Sequence, residues 1–164
     1  MAGARKHRAM AIVEPAELKT ALPPGGRLLG LDLGSKTIGL AICDSGLAVA
    51  SPLETIGRKK FTADAAALMA LIAERGIGAL VLGLPRNMDG SEGPRAQSTR
   101  QFAANLLGKI DIPIALWDER LSTAEVERVL IDEADMTRKR RGEVIDKMAA
   151  SVILQGFLDY LGNL

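Results

Sequence analysis

The sequence predicts a single α/β domain with a mixed five-stranded sheet flanked by helices, and three observations support this fold class. Two short apolar runs follow each other closely near the amino-terminal side, which is typical of an antiparallel hairpin. Farther along the chain, strand-like and helix-like segments alternate, a pattern that produces parallel strands joined by crossover helices. The chain has 164 residues, of which 48% are hydrophobic, and this is enough for one domain with a substantial core.

The five predicted strands are apolar runs bounded by glycine, proline or polar turn residues. The first two are separated by a small-residue turn, and the last two each follow a helical pattern. They span residues 27–32, 38–44, 48–56, 79–84 and 113–117. Their order predicts an antiparallel meander that is continued by parallel strands.

Four helices are predicted to cover this sheet. An Ala- and Leu-rich segment at 61–75 is closed by Gly76, and a second helix at 94–107 links two strands. A third helix is expected to begin at the N-cap residue Ser122. The last helix spans about 143–161 and carries a periodic apolar face.

Residues 1–26 are expected to form a disordered basic extension, and residues 27–164 are expected to form the folded domain. The extension begins with MAGARKHRAM, lacks the apolar stretch of a cleavable leader, and ends in the breaker sequence PPGG at 23–26. Its histidine, His7, is expected to be solvated rather than catalytic.

The composition limits the classes of function. Aromatic residues make up only 3% of the chain, so a base-stacking platform of several aromatics is not expected. The formal net charge is +1, so nucleic-acid binding would need a local basic patch. The single cysteine, Cys43, lies in an apolar run and is expected to be a buried thiol in a reducing cytoplasm. No run approaches about 18 apolar residues, so no membrane span is predicted.

Four carboxylates lie at positions that the predicted fold could bring close together. Asp32 ends the first apolar run, where a buried carboxylate needs a cation or a donor. Asp118 and Glu119 follow a predicted strand, at the edge where catalytic groups of parallel sheets collect. Asp146 lies on the last helix beside small residues that permit close packing. The structural alternatives are a turn aspartate, a solvated pair neutralised by Arg120, and an exposed helix aspartate.

These carboxylates predict a site for Mg²⁺ or Mn²⁺. Hard cations prefer oxygen ligands and are commonly held by a few carboxylates together with phosphate oxygens of the substrate. Two such ions can activate a water and stabilise the leaving oxygen of a phosphodiester, so no histidine base is needed. The predicted catalytic and metal-binding residues are Asp32, Asp118 or Glu119, and Asp146.

Four motifs in this order resemble the YqgF family, also called the RuvX or pre-16S rRNA nuclease family. They are LGLDLGSKTIGLA at 29–41, VLGLPRNMDGSE at 81–92, DERLST at 118–123 and IDKMAA at 145–150. The resemblance runs from about 28 to 160 and leaves the first 26 residues outside.

The resemblance implies a ribonuclease H-like fold and a divalent-metal-dependent nuclease whose acidic triad falls on Asp32, the Asp118–Glu119 pair and Asp146. It also implies a role in processing the 5′ end of the 16S ribosomal RNA precursor, with resolution of Holliday junctions in branched DNA as the earlier proposal for the family. The expected partner is therefore structured nucleic acid and not a membrane, and the protein is expected to be a monomer or homodimer.

Several polar and basic residues are candidates for binding that substrate. The loop 87–93 follows a strand and could hold substrate backbone, although a plain strand-to-helix turn is the alternative. A basic run is expected just before the last helix, where it could neutralise phosphates or simply be solvated, and 58–60 is a weaker candidate. The predicted substrate-binding residues are Lys36, Asn87, Ser91, Arg120, Arg138, Lys139, Arg140 and Arg141.

Two other classes of protein share part of these signals. The glycines at 34 and 39 beside Asp32 imperfectly match the phosphate loop of the actin and sugar-kinase superfamily, in which two such domains close around ATP. A ribosome-assembly module that binds RNA without cleaving it is the third possibility. Magnesium-dependent cleavage would distinguish a nuclease from such a module, and ATP binding would indicate the kinase-like class.

Overall fold

The computed structural model describes residues 12–121 and 138–164, which form six strands and four helices. A 3-10 turn at Glu119–Leu121 follows the last strand. None of the helices in these ranges combines the length and apolar character that a bilayer crossing requires. In chain order the elements are β1 Ile12–Val13, α1 Pro15–Ala21, β2 Arg27–Leu33, β3 Thr37–Cys43, β4 Ala50–Gly57, α2 Phe61–Arg75, β5 Ile77–Leu84, α3 Pro94–Leu107, β6 Ile114–Asp118 and α4 Arg138–Gly162.

All six strands form one mixed sheet in the order β1-β6-β5-β2-β3-β4. Strands β2, β3 and β4 pair as an antiparallel meander, whereas β2, β5, β6 and β1 are parallel neighbours. The predicted mixed sheet is therefore confirmed, with the two-residue β1 as an additional edge strand. An antiparallel meander continued by parallel strands is the ribonuclease H-like arrangement that the family resemblance implied.

Helices α2 and α3 have the bounds that the sequence predicted. Gly76 ends α2 in the left-handed conformation, with φ at 66°, and its amide donates to the carbonyl of Ile72. This C-cap needs a residue that tolerates a positive φ, and glycine does so without steric cost. Pro94 begins α3, where a missing amide hydrogen costs nothing.

The prediction of a disordered extension is wrong for residues 12–26. Strand β1 pairs in parallel with the edge of β6, where Ile12 lies opposite Ile114. Leu18 of α1 is fully buried and belongs to the same hydrophobic cluster as Phe157. A few apolar side chains therefore give this segment enough packing to order it, in spite of its polar composition. Residues 1–11, which include His7, lie outside the described ranges.

The last helix begins at Arg138 rather than near 143. The basic run therefore forms the first turn of α4, and the prediction that it precedes the helix is wrong. Arginine and lysine have long unbranched side chains that favour helix, and one glycine at 142 is not sufficient to stop it. The helix predicted to begin at Ser122 lies outside the described ranges.

The sheet has a core on each face. Helices α2 and α3 pack on one face, where Leu29 and Leu31 of β2 point. Helix α4 covers the other face with Ile153, Leu154 and Phe157. Because successive strand residues point to opposite faces, alternate side chains along a strand contact different helix layers.

The loop at 87–93 is ordered by contacts within itself and with α3. The Asn87 amide donates to the Ser91 carbonyl at 2.9 Å, and the Asn87 side chain donates to the Ser91 hydroxyl at 2.9 Å. Glu92 accepts two hydrogen bonds from the guanidinium of Arg100, one of them at 2.7 Å from Nη2. The hydrogen bonds from Arg100 hold the pKa of the Glu92 carboxyl below its usual range.

Replacing Arg100 with Gln should lower the free energy of unfolding in a pH-dependent way. A carboxyl whose pKa is depressed in the folded state stabilises the protein above its unfolded pKa, and this contribution is lost as the pH falls through the folded pKa. The difference in free energy of unfolding between the parent and Arg100→Gln should therefore be largest near neutral pH. It should shrink between about pH 5 and about pH 3.

Urea unfolding of both proteins across this pH range measures the difference. Arg75→Gln, at the exposed end of α2, is the matched control and should show no such trend. A difference for Arg100→Gln that does not change with pH would mean that Arg100 acts through its apolar stem rather than through Glu92.

Candidate active site

Asp32 lies near the carboxyl end of β2 and is only 5% exposed. Its partner in the antiparallel ladder is Gly39 of β3. Two residues earlier on the same strand, a Cβ placed on Gly30 would meet Leu154 of α4 at 2.9 Å. Since residues two apart on a strand point to the same face, the Asp32 side chain leaves the sheet on the face that α4 covers.

Asp146 reaches the same part of the sheet through a contact between backbones. A Cβ on Gly39 would lie 2.1 Å from the carbonyl oxygen of Asp146 and 2.4 Å from its carbonyl carbon, so only glycine permits α4 to pass there. The hydroxyl of Thr37, two residues before Gly39, donates a hydrogen bond to Oδ2 of Asp146. Helix α4 therefore places Asp146 beside the strand pair that carries Asp32.

Glu119 approaches this site from the other neighbour of β2. A Cβ on Gly83 of β5 would lie 2.7 Å from Oε1 of Glu119 and 2.7 Å from Cδ1 of Ile153 on α4. Because Leu31 of β2 pairs with Leu82, Asp32 and Gly83 are the next residues of adjacent strands. Glu119 therefore lies on the α4 face over the glycine that neighbours Asp32.

Asp118 points to the opposite face of the sheet. Trp117, the preceding residue, belongs to the cluster on the α4 face, and strand residues alternate. The Asp118 carboxylate accepts hydrogen bonds from the side chain of Arg120, the shortest at 2.7 Å, and one from its backbone amide at 3.0 Å. The guanidinium of Arg120 holds the pKa of Asp118 below its usual range. Of the pair that the sequence left open, Glu119 lies with Asp32 and Asp146, and Asp118 does not.

The chemistry of these donors fits a hard divalent cation. Asp32, Glu119 and Asp146 offer only carboxylate oxygens, the ligands that Mg²⁺ and Mn²⁺ prefer. These three residues place three carboxylate groups along one row of the sheet, and a cation bound there would be attracted to all of them. Within 12–121 and 138–164, no three His, Cys, Asp or Glu side chains are gathered closely enough to form a metal cage by themselves. Among the described residues, the three acids therefore lie along one row of the sheet without forming a closed ligand set.

A cavity of about 640 Å³ opens beside Asp146. The predicted residue Lys36 lines it and is exposed at the turn between β2 and β3. Thr37 also lines it, and sequence reasoning missed this residue because a hydroxyl at the start of a strand gives no signal of a partner on a distant helix. Arg95 was missed as well, although a basic residue in the first turn of a helix opposes the helix dipole and is therefore unusual.

The remaining predicted binding residues fall in two places. Asn87 and Ser91 bond to each other within their loop, and Arg120 joins that loop to β6, because its Nη1 donates to the carbonyl of Met88 at 3.2 Å. Arg140 is exposed on the first turn of α4 and Arg141 is half-buried. The side chains of the other two basic residues of this run, Arg138 and Lys139, lie outside the described part of the chain.

Comparisons with known proteins connect this geometry to a family. The chain matches the family model described as "RuvX: Holliday junction resolvase" over residues 26–160. A "Putative pre-16S rRNA nuclease" of Paramagnetospirillum magneticum is 61% identical, covering 92% of this chain and 96% of its own length. A protein of the same name from Ruegeria pomeroyi is 62% identical, covering 90% of this chain and 96% of its own. Among solved structures, "T. thermophilus RuvC in complex with Holliday junction substrate" is 14% identical, with a TM-score of 0.49 over 84% of this chain and 96% of that chain.

Replacing Gly39 with Ala should displace α4 from the sheet and destabilise the protein. The new Cβ would meet backbone atoms of Asp146, which cannot rotate away as a side chain could. We expect the free energy of unfolding to fall by about 3 kcal/mol, at the upper end of overpacking effects. Urea unfolding followed by circular dichroism measures this loss.

Gly57→Ala on β4 is the matched control, since no atom lies within 4 Å of a Cβ at that position. Its free energy of unfolding should stay unchanged or rise by up to about 1 kcal/mol, because alanine loses less backbone entropy than glycine on folding. Equal stability of the two variants would contradict the close contact between Gly39 and α4.

Proposed function

This chain belongs to the RuvX family, and on that premise we propose that it is a nuclease that hydrolyses phosphodiester bonds in structured nucleic acid. The observation that carries the proposal is the placement of Asp32, Glu119 and Asp146 on one face of the sheet, around the row that Gly83, Asp32 and Gly39 form. Three separate elements bring these acids together, and two glycines make room for them. Such an arrangement fits a cationic ligand, because carboxylate oxygens are the ligands that hard divalent cations prefer.

We propose the 16S ribosomal RNA precursor as the substrate. The relatives with about 60% identity carry the name "Putative pre-16S rRNA nuclease", and they align with this chain over nearly their whole length. Branched DNA is the second candidate, because the matched family model is described as a Holliday junction resolvase.

Asp32, Glu119 and Asp146 would hold Mg²⁺ or Mn²⁺ in this proposal. When bound, the metal would supply an activated water and stabilise the leaving oxygen of the phosphodiester. Burial at a strand end holds Asp32 in place, so little conformational entropy is lost when it binds a cation. The hydroxyl of Thr37 orients the Asp146 carboxylate, and the Glu119 side chain occupies the space over Gly83.

Purified protein should cleave a 16S precursor fragment with Mg²⁺ or Mn²⁺ and should lose this activity in EDTA. Asp32→Asn should lower the cleavage rate by about 100-fold or more, which corresponds to ~2.7 kcal/mol of transition-state stabilisation. The amide keeps the shape of the side chain but not its charge, so the melting temperature should not fall appreciably. A parallel assay with a four-way DNA junction compares the two candidate substrates.

Each outcome of these assays has a distinct meaning. Cleavage in EDTA, or full activity of Asp32→Asn, would contradict the proposed site. Cleavage of the junction but not of the RNA would favour the resolvase function. Tight RNA binding without cleavage under any metal would favour a non-catalytic assembly module.

A further inference from the structure

Three basic side chains border the cavity beside Asp146, and we call this surface the basic groove. It consists of Lys36 on the turn between β2 and β3, Arg58 after β4, and Arg95 in the first turn of α3. All three residues are exposed. The groove has a volume of about 640 Å³, and Ser98 adds a hydroxyl to its wall.

Arg58 is held in a defined position by two side-chain contacts and one backbone hydrogen bond. Its Nη1 donates to the carbonyl of Gly34 at 2.7 Å, and its guanidinium carbon lies 5.5 Å from the centre of the Phe102 ring. The Arg58 amide also donates to the carbonyl of Lys36 at 2.8 Å. The hydrogen bond to Gly34 engages one of five guanidinium N–H groups, so an exposed Arg58 can still donate to a ligand.

Arg95, in the first turn of α3, approaches the end of β2 just before the same turn. Its Nη2 lies 3.5 Å from the carbonyl oxygen of Leu33, at the long limit of a hydrogen bond. Its position at the positive end of the α3 dipole is electrostatically unfavourable, and no acidic residue in the first turn of this helix offsets it. An anion in the groove would turn this cost into a favourable interaction.

The two arginines converge on consecutive carbonyls, those of Leu33 and Gly34, which directly follow Asp32. The groove therefore adjoins the acidic site, and Asp146 lines the groove as well. The net charge of the chain is only +1, so an anionic polymer would gain little from the overall field and would depend on such local positive charge. A polyanion that approaches Asp32 and Asp146 also needs nearby cations to offset repulsion.

We propose that Arg58, Arg95 and Lys36 form a phosphate-binding subsite for the nucleic-acid strand that flanks the cleaved bond. This inference rests on the proposed function and adds the path of the substrate backbone. Guanidinium groups match phosphate oxygens with two parallel hydrogen bonds, and Lys36 adds a point charge. Because phosphates are the same in every sequence, the subsite positions the strand without selecting its bases.

The test is the binding of labelled RNA by the full chain, measured by fluorescence anisotropy at several salt concentrations. Arg58→Gln/Arg95→Gln is introduced into Asp32→Asn, so that binding is measured without cleavage. The affinity should fall by about tenfold or more, and the slope of log affinity against log salt should become shallower by about 1.5 for two lost phosphate contacts.

Arg75→Gln/Lys109→Gln in the same background is the matched control. It removes the same charge from exposed positions at or just beyond the carboxyl ends of α2 and α3. These helices lead into the amino ends of β5 and β6, whereas Asp32 lies near the carboxyl end of the parallel strand β2. The control should bind RNA with nearly the parent's affinity and salt slope. An equal loss in the control would show that net charge alone matters, and an unchanged slope in Arg58→Gln/Arg95→Gln would likewise overturn the subsite.

Cleavage assays with Asp32 intact separate this inference from the proposed function. If the parent cleaves RNA, Arg58→Gln/Arg95→Gln should raise KM about tenfold or more and change kcat less than KM. If the parent cleaves no substrate while the double variant still loses affinity and slope, the nuclease proposal fails and the subsite stands. If the parent cleaves and the double variant binds like the control, the subsite fails and the nuclease proposal stands.

Discussion

The close contact between Gly39 and the backbone of Asp146 is the constraint on which the site depends. Helix α4 can lie this close to β3 only where no Cβ intervenes. This contact fixes the position at which the helix crosses the end of the meander. Asp32 is the ladder partner of Gly39, so the same contact sets its neighbourhood. The hydrophobic cluster of Ile153, Leu154 and Phe157 holds the rest of the helix on the sheet. The same packing of α4 that completes this core therefore also places Asp146 beside Asp32.

The carboxylates of the site and the arginines of the basic groove lie next to each other at one end of the sheet. The α4 face carries Asp32 and Glu119 near one row of residues, and the turn beyond that row leads to Arg58 and Arg95. Asp118, on the other face, is neutralised by Arg120. A cation bound to the carboxylates would offset their negative charge, and phosphate groups bound to the two arginines would offset the positive charge of the guanidinium groups. The fold therefore places a proposed metal site and a proposed phosphate site side by side, as a nuclease needs.

Much of the fold could be predicted from local signals, whereas the site required long-range information. Gly76 and Pro94 mark the ends of helices through their own backbone preferences, so those bounds were predicted correctly. The choice between Asp118 and Glu119 depends on the phase of the strand pleat and on the space over Gly83, a contact between distant parts of the chain. Whether residues 12–26 are ordered likewise depends on the burial of Leu18, which composition does not reveal.

Titration of Mn²⁺ by calorimetry tests the central claim most directly, because it measures the proposed metal site without needing a substrate. Glu119→Gln and Asp118→Asn each remove one negative charge from adjacent residues, so they form a matched pair. The proposed site predicts that Glu119→Gln, like Asp32→Asn and Asp146→Asn, weakens Mn²⁺ binding by about tenfold or more, while Asp118→Asn changes it by less than about twofold. Loss of Mn²⁺ affinity in Asp118→Asn with unchanged affinity in Glu119→Gln would contradict the site described.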